Sequence, residues 1–213
     1  MGVTGISPGT NRQSSHERVS DSGPAHVVGD AVTGPAKPGR AAAVVRADDH
    51  VRGAPAARVT LLEYGDYQCR YCRVAHPVVQ ELLRRRPDVV RFVYRHFPLT
   101  TVHPYADLAA EVAESAASRG RFWSMHDWLF ENQERLSPRS LPAGVREIGL
   151  DVSVVAHEVG THAWLDRIRQ DVASGVRGGV RGTPAFFVNG TPHDRSYSLV
   201  DLTAAVDRSA ARR

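Results

Sequence analysis

Cys69 and Cys72 are the whole thiol inventory of this 213-residue chain, with Arg70 and Tyr71 between them. A structural disulfide spreads its cysteines to close a longer loop, and a structural zinc usually takes four thiol or imidazole ligands. A single C-x-x-C behind a strand-like run instead lets one thiolate attack a partner disulfide while its neighbour resolves the mixed disulfide. Cys69 is expected at the start of a helix, where unpaired backbone N–H groups and the positive end of the macrodipole stabilise a thiolate. An ordinary thiol is about 3% ionised at pH 7, and one lowered to a pKa of ~6 is about 90% ionised. That makes Cys69 the expected nucleophile and Cys72 the resolving thiol. Arg70 and Arg73 add positive charge nearby, and His76, one turn past Cys72, reads as a helix-surface residue that tunes local charge.

Two further features carry chemistry. Glu63 alternates with Val59 and Leu61, so it shares their face and projects toward the core near the cysteines. A desolvated carboxyl there has a raised pKa and can exchange a proton with the resolving thiol. Thr183-Pro184 directly precedes the apolar run Ala185-Phe186-Phe187-Val188, which suits a cis peptide bond. A zinc reading competes: Cys69, Cys72 and His76 have C-x2-C-x3-H spacing, and His96 or His103 could add a fourth ligand. The motif opens a helix after a strand and has no second paired cluster, so redox exchange leads. Asp66 reads as a turn residue, and the aromatic helix with Trp123, Met125, Trp128, Leu129 and Phe130 reads as core.

The elements that must position these groups follow from pattern. Residues 59–64 form the first strand, and Gly65 to Gln68 lead into the cysteines. The helix that follows has Val74, Val78 and Leu82 in an apolar stripe, flanked by Val79 and Leu83, with Pro77 inside it and a kink expected there. Residues 89–94 (VVRFVY) read as a central strand covered on both faces. Five helical stretches follow, at 104–118, 121–134, 138–149, 151–160 and 163–176. Residues 185–188 return to strand, Asn189-Gly190 is a two-residue hairpin turn, and Pro192 places the returning strand at an edge. A last amphipathic helix spans 198–212, with Ser198 as its N-cap.

Composition bounds the rest. Residues 1–50, rich in Gly, Pro, Ser and Ala, read as a disordered arm with a docked segment possible around Ala41–Val45, and 51–213 as the folded domain. The net charge of +4 comes with no long stripe of one sign. Arg84-Arg85-Arg86, the one basic run, points three ways from a helix into solvent, so no nucleic-acid partner is expected. No apolar run reaches the 18 or so residues that span a bilayer. The first thirty residues contain no apolar h-region, so a cytoplasmic location is expected.

Strand, motif, helix, strand, helical block, hairpin and helix make an α/β arrangement of the thioredoxin-like kind with an inserted helical domain, about residues 104–177. EYGDYQCRYC, RHFPLTTVHPYADLAAEVAESAA, FWSMHDWLF and GTPAFFVNG, in this order, resemble DsbA-family thiol–disulfide oxidoreductases. They are most similar to the branch found as stand-alone bacterial proteins and as domains appended to NhaA-type antiporters. The resemblance implies Cys69 as nucleophile, Cys72 as its partner, Thr183-Pro184 as a cis-proline loop facing the cysteines and Glu63 as the buried acid. It implies a protein or low-molecular-weight thiol or disulfide as substrate, with the Cys69–Cys72 disulfide as redox group and no separate cofactor. Arg70 stands where this branch usually has proline, and the Arg70-Tyr71 dipeptide then tunes the thiolate and its potential. The alternatives are a non-catalytic thioredoxin-like binding module, the Cys69/Cys72/His76 zinc regulator, and a glutathione-transferase or isomerase relative.

Overall fold

The computed structural model describes residues 45–212. Its sheet runs β1-β3-β2-β4-β5, with β1 at His50–Gly53, β2 at Val59–Gly65, β3 at Val90–His96, β4 at Ala185–Val188 and β5 at Thr191–Pro192. β2 and β3 are parallel, Val59 opposite Val90 and Glu63 opposite Tyr94. A parallel pair needs a crossover, which α1 (Arg70–Arg85) supplies. The other pairings are antiparallel.

The two-residue period of β2 divides the core. Val59 and Leu61 join Phe92, Tyr94, Phe186 and Val188 in the larger apolar cluster. Leu62 and Tyr64 join Val93, Phe97 and Phe187 on the opposite face. Both faces are covered, which is why β2 and β3 read as nearly continuous apolar runs. β2 is the middle strand, and β3 lies inside an edge formed by β1, a strand too short and polar for its pattern to announce.

α1 differs from its expected phase. Its buried residues are Cys72, Ala75, His76, Val79 and Leu82, whereas Val74 is 57% exposed. Burying Cys72 at the first turn sets the helix rotation, and Val74 is carried outward by it. The helix continues through Pro77 as one element.

The helical block comprises α2 (Ala106–Ala117), α3 (Phe122–Glu131), a 3-10 turn (Gln133–Arg135), α4 (Leu141–Glu147), α5 (Val152–Gly160) and α6 (Leu165–Arg177). Phe122, Met125, Trp128, Leu129 and Phe130 of α3 are buried in the larger cluster. After β4, Asn189 (φ 47°) and Gly190 (φ 77°) make the hairpin turn, with both residues left-handed as a tight two-residue turn requires. α7 (Leu199–Ala210) starts at Ser198, whose hydroxyl accepts from the Asp201 N–H.

The folded body extends upstream of the expected boundary at residue 51. Val45 packs against the smaller cluster, and His50 pairs with Tyr94 across the β1–β3 ladder. Asp49, whose side chain is fully buried, accepts from Arg95 Nε at 2.8 Å and Nη2 at 2.7 Å. Arg46 bonds both Asp49 and Asp171. The disordered arm expected for residues 1–50 falls, up to residue 44, outside the described residues, as does most of the Ala41–Val45 segment. No helix among the described residues is long and apolar enough to cross a membrane.

Candidate active site

The strand β2 ends at Gly65, and four residues later Cys69 stands as the N-cap of α1, in extended backbone (φ −72°, ψ 116°) with no acidic residue in the first helical turn. The helix therefore presents its unpaired N–H groups to Cys69 with no carboxylate competing for them. Cys72, one turn in, is fully buried, and both cysteines are free thiols. The Thr183-Pro184 peptide bond is cis, and Cys69 Sγ lies 3.2 Å from the Thr183 carbonyl oxygen, which accepts from the thiol in its protonated form. A groove of about 430 Å3 opens over Cys69 between the first turn of α1, the Leu99–His103 segment and Gly182-Thr183.

The two thiols are driven apart in acidity. Cys69 is lowered to about 5, chiefly because the Cys72 thiol donates to its sulfur; desolvation opposes this, and the Cys72 and Tyr71 backbone N–H groups add to it. Cys72 is raised well above an ordinary thiol, first by burial, then by its bond to Cys69 and by the Glu63 charge. One sulfur is an anion at neutral pH and the other keeps its proton.

Glu63 lies behind them on the α1 face of β2, 2% exposed. Its carboxyl is pushed up to about 8, mainly by burial and then by the Cys69 thiolate. Oε1 has no hydrogen-bond partner among the described residues. A buried carboxyl in that state can hold or accept a single proton beside Cys72.

Of the residues expected to tune the cysteines, Arg70 keeps its charge within reach of Cys69 and His76 departs from its sequence reading. Arg70 is exposed and turns onto its neighbour, with its guanidinium 4.6 Å over the Tyr71 ring and Nη2 donating to the Tyr71 hydroxyl at 2.6 Å. Tyr71 reaches Cys69 through its backbone N–H, a contribution independent of its side chain. Arg73 pairs with Glu134. His76 is not on the surface: it is 8% exposed, stacked on Phe130 and bonded to Gln80, in the seam between α1 and α3. Burial lowers its pKa, so it supplies no fixed cation to the cysteines. The helix rotation that exposes Val74 is what turns His76 inward.

The Cys69/Cys72/His76 zinc set does not converge. Among the described residues, the sets of three whose ligand atoms lie within 4.8 Å of one another are His50, His96, Glu114 and His76, His126, Asp127. Neither contains a cysteine. The proposed fourth ligands are taken up elsewhere, His96 on Glu114 and His103 on Asp66.

Two positioning residues escaped the sequence reading. Asp66, expected as an ordinary turn residue, is buried; its carboxylate accepts from the N–H groups of Gln68 (2.7 Å) and Leu99 (2.8 Å) and bonds His103 at 2.7 Å. It ties the loop before Cys69 to the opposite wall of the groove. Gln133 donates to the carbonyls of Tyr67 and Cys69 at 2.8 and 3.0 Å. An Asx-type Asp66–Gln68 bond is legible locally; the reach of Gln133 across 64 residues is not.

Comparison with known proteins agrees with this architecture. A family model described as Thioredoxin matches residues 46–208. The chain is 46% identical over 158 residues to the Na(+)/H(+) antiporter NhaA 3 of Salinispora tropica, covering 74% of this chain and 24% of that protein. The chain thus spans about a quarter of the length of the curated relatives it matches. Among solved structures, a thioredoxin-like oxidoreductase from Silicibacter pomeroyi superimposes with a TM-score of 0.67 at 31% identity, covering 78% of this chain and 94% of that one. The alpha-DsbA1 of Wolbachia pipientis gives 0.69 at 17% identity, covering 79% and 94%, a likeness of fold alone.

Proposed function

This chain belongs to the thioredoxin family, with a DsbA-like helical insertion, and on that premise we propose that it is a thiol–disulfide oxidoreductase exchanging a Cys69–Cys72 dithiol/disulfide with protein or small-thiol substrates. The observation that carries this reading is the placement of the pair: Cys69 caps α1 beside the cis Thr183-Pro184 bond while Cys72 is fully buried one turn in, which drives their acidities apart.

In the reducing direction, the Cys69 thiolate attacks one sulfur of a substrate disulfide. The other substrate sulfur leaves as thiolate and is protonated by solvent. Loss of the Cys69 charge removes one of the two causes that hold the Glu63 proton. The carboxyl can then lose its proton to solvent and, as carboxylate, take the proton of Cys72. The Cys72 thiolate attacks Cys69 Sγ, the mixed disulfide breaks, and the second substrate sulfur leaves as thiolate and is protonated by solvent. Two electrons have passed to the substrate, and the chain holds a Cys69–Cys72 disulfide. The same steps reversed oxidise a substrate dithiol. The groove over Cys69, with Tyr71 and Val102 exposed on its rim, suits an extended polypeptide beside Thr183.

Turnover of a disulfide peptide and of insulin tests the proposal. Cys69→Ser should abolish both, and Cys72→Ser should accumulate mixed disulfides visible on non-reducing gels; normal rates in Cys69→Ser would refute the assignment. The reduction potential then reports direction, since about −270 mV marks a thioredoxin-like reductant and about −120 mV a DsbA-like oxidant. A reducing cytoplasmic setting favours the first and an oxidising compartment the second.

A further inference from the structure

Away from the cysteines, three side chains from three elements meet around one oxygen. His50 of β1 and His96 of β3 share a sheet face, because His50 is in register with Tyr94 and His96 lies two residues further along. Across from them, α2 presents Glu114. His50 Nε2 lies 2.7 Å and His96 Nε2 2.8 Å from the same Glu114 Oε1. The three side chains are 13%, 1% and 4% exposed. Phe122 stacks on the His50 ring with centroids 3.4 Å apart, closing the cluster from the α3 side.

We propose that His50, His96 and Glu114 form a binding site for a divalent zinc-type cation, which clamps β1 onto β3 and α2. Two imidazoles and one carboxylate are a donor set that zinc accepts, with solvent as the fourth ligand. Tetrahedral bonds of 2.0–2.1 Å separate ligand atoms by about 3.3 Å, so the cluster need open by only about half an ångström to admit the ion. His96 Nδ1 is buried with no hydrogen-bond partner among the described residues. Without an ion Nε2 donates its proton to Glu114; on binding a cation the ring carries that proton on Nδ1 instead, and Nε2 presents its lone pair.

The other convergent set fits a cation less well. Asp127 already holds the Arg52 guanidinium at 3.0 and 2.7 Å, and Gln80 lies 2.9 Å from His76 Nε2. A positive charge seated on the carboxylate excludes a second one. The hydrogen-bond partners of Glu114 among the described residues are the two imidazoles, and the Arg167 charge reaches it only through space.

The test uses the full chain carrying Cys69→Ser and Cys72→Ser, so that thiols contribute no chelation. Equilibrium dialysis against Zn2+ with elemental analysis should find one ion per chain, and the melting temperature should rise with free Zn2+. Affinity should fall at least about 100-fold in His50→Ala and in Glu114→Gln, more than the loss usual for an outer-shell partner, and stay unchanged in Asp127→Asn. Hydrogen exchange of the β1 amides should slow on adding Zn2+. Should Glu114→Gln fail to fold, His50→Ala, on the edge strand, still decides the question. Absence of bound Zn2+, undiminished affinity in His50→Ala, or loss of binding in Asp127→Asn each overturns the proposal.

Discussion

Replacing Glu63 with glutamine gives the sharpest test of how the fold sustains its chemistry. The carboxyl holds its proton to about pH 8 rather than 4.5, so the native state binds more protons than the unfolded chain between those values. Stability attributable to this group is therefore intact below pH 4.5 and is lost as pH rises toward 8. Each pH unit in that window is worth about 1.4 kcal/mol, and by pH 7 the loss reaches about 3 kcal/mol. Glutamine has nearly the same shape and cannot ionise. The reduced Glu63→Gln protein should thus match wild type near pH 4.5, apart from a constant offset for its buried amide, and gain on it by about 3 kcal/mol at pH 7. Guanidinium unfolding at several pH values between 4.5 and 8.5, extrapolated linearly to water, measures this difference. Because burial is the larger cause, most of the pH dependence should persist in the oxidised protein. A stability difference that stays flat across this range would show that Glu63 is not a buried acid with a raised pKa, and its assigned proton transfer would fall with it.

Other consequences are equally direct. Alkylation of Cys69 should titrate with a midpoint near pH 5 while Cys72 stays unmodified up to pH 9, as read by peptide mass spectrometry of protein quenched at each pH. A chain beginning at residue 51 loses Asp49 and leaves Arg95 as a buried guanidinium without that carboxylate; it should be less stable than one beginning at residue 45 by about 3–5 kcal/mol, measured by denaturant unfolding. Gly65→Ala places a Cβ 2.5 Å from the Tyr94 ring, directly before the cysteine loop. Overpacking of that kind costs about 1–3 kcal/mol, and it should also slow turnover by shifting Tyr94 against Glu63's strand.

Much of this protein is legible in its residues because the signals are local. The spacing of Cys69 and Cys72, the alternation that puts Glu63 on the face of Val59 and Leu61, the Asn189-Gly190 turn and the Ser198 cap depend on neighbours a few positions away. The opposite acidities of the two thiols follow from the bond between them and the burial of Cys72, both set by their three-residue spacing at a helix start. Other features depend on rotation and distant partners. Val74 and His76 exchange their expected environments because Cys72 sets the phase of α1, and a stripe of valines cannot report that choice. β1 is recognisable only through its ladder with β3, since its own four residues carry no apolar pattern.

What the chain specifies alone is a pair of sulfurs at a helix start, a buried acid behind them and the order of elements that bring Thr183 back to Cys69; these rest on backbone geometry and short-range periodicity. What three-dimensional packing adds is the hold on them: Gln133 on the Cys69 carbonyl, Asp66 across to Leu99 and His103, Asp49 on Arg95, and two histidines on Glu114. Each joins groups far apart in sequence whose polar atoms are paired only once the sheet and helical block have closed. Desolvation makes such pairing obligatory, but it does not say beforehand which partner will be found.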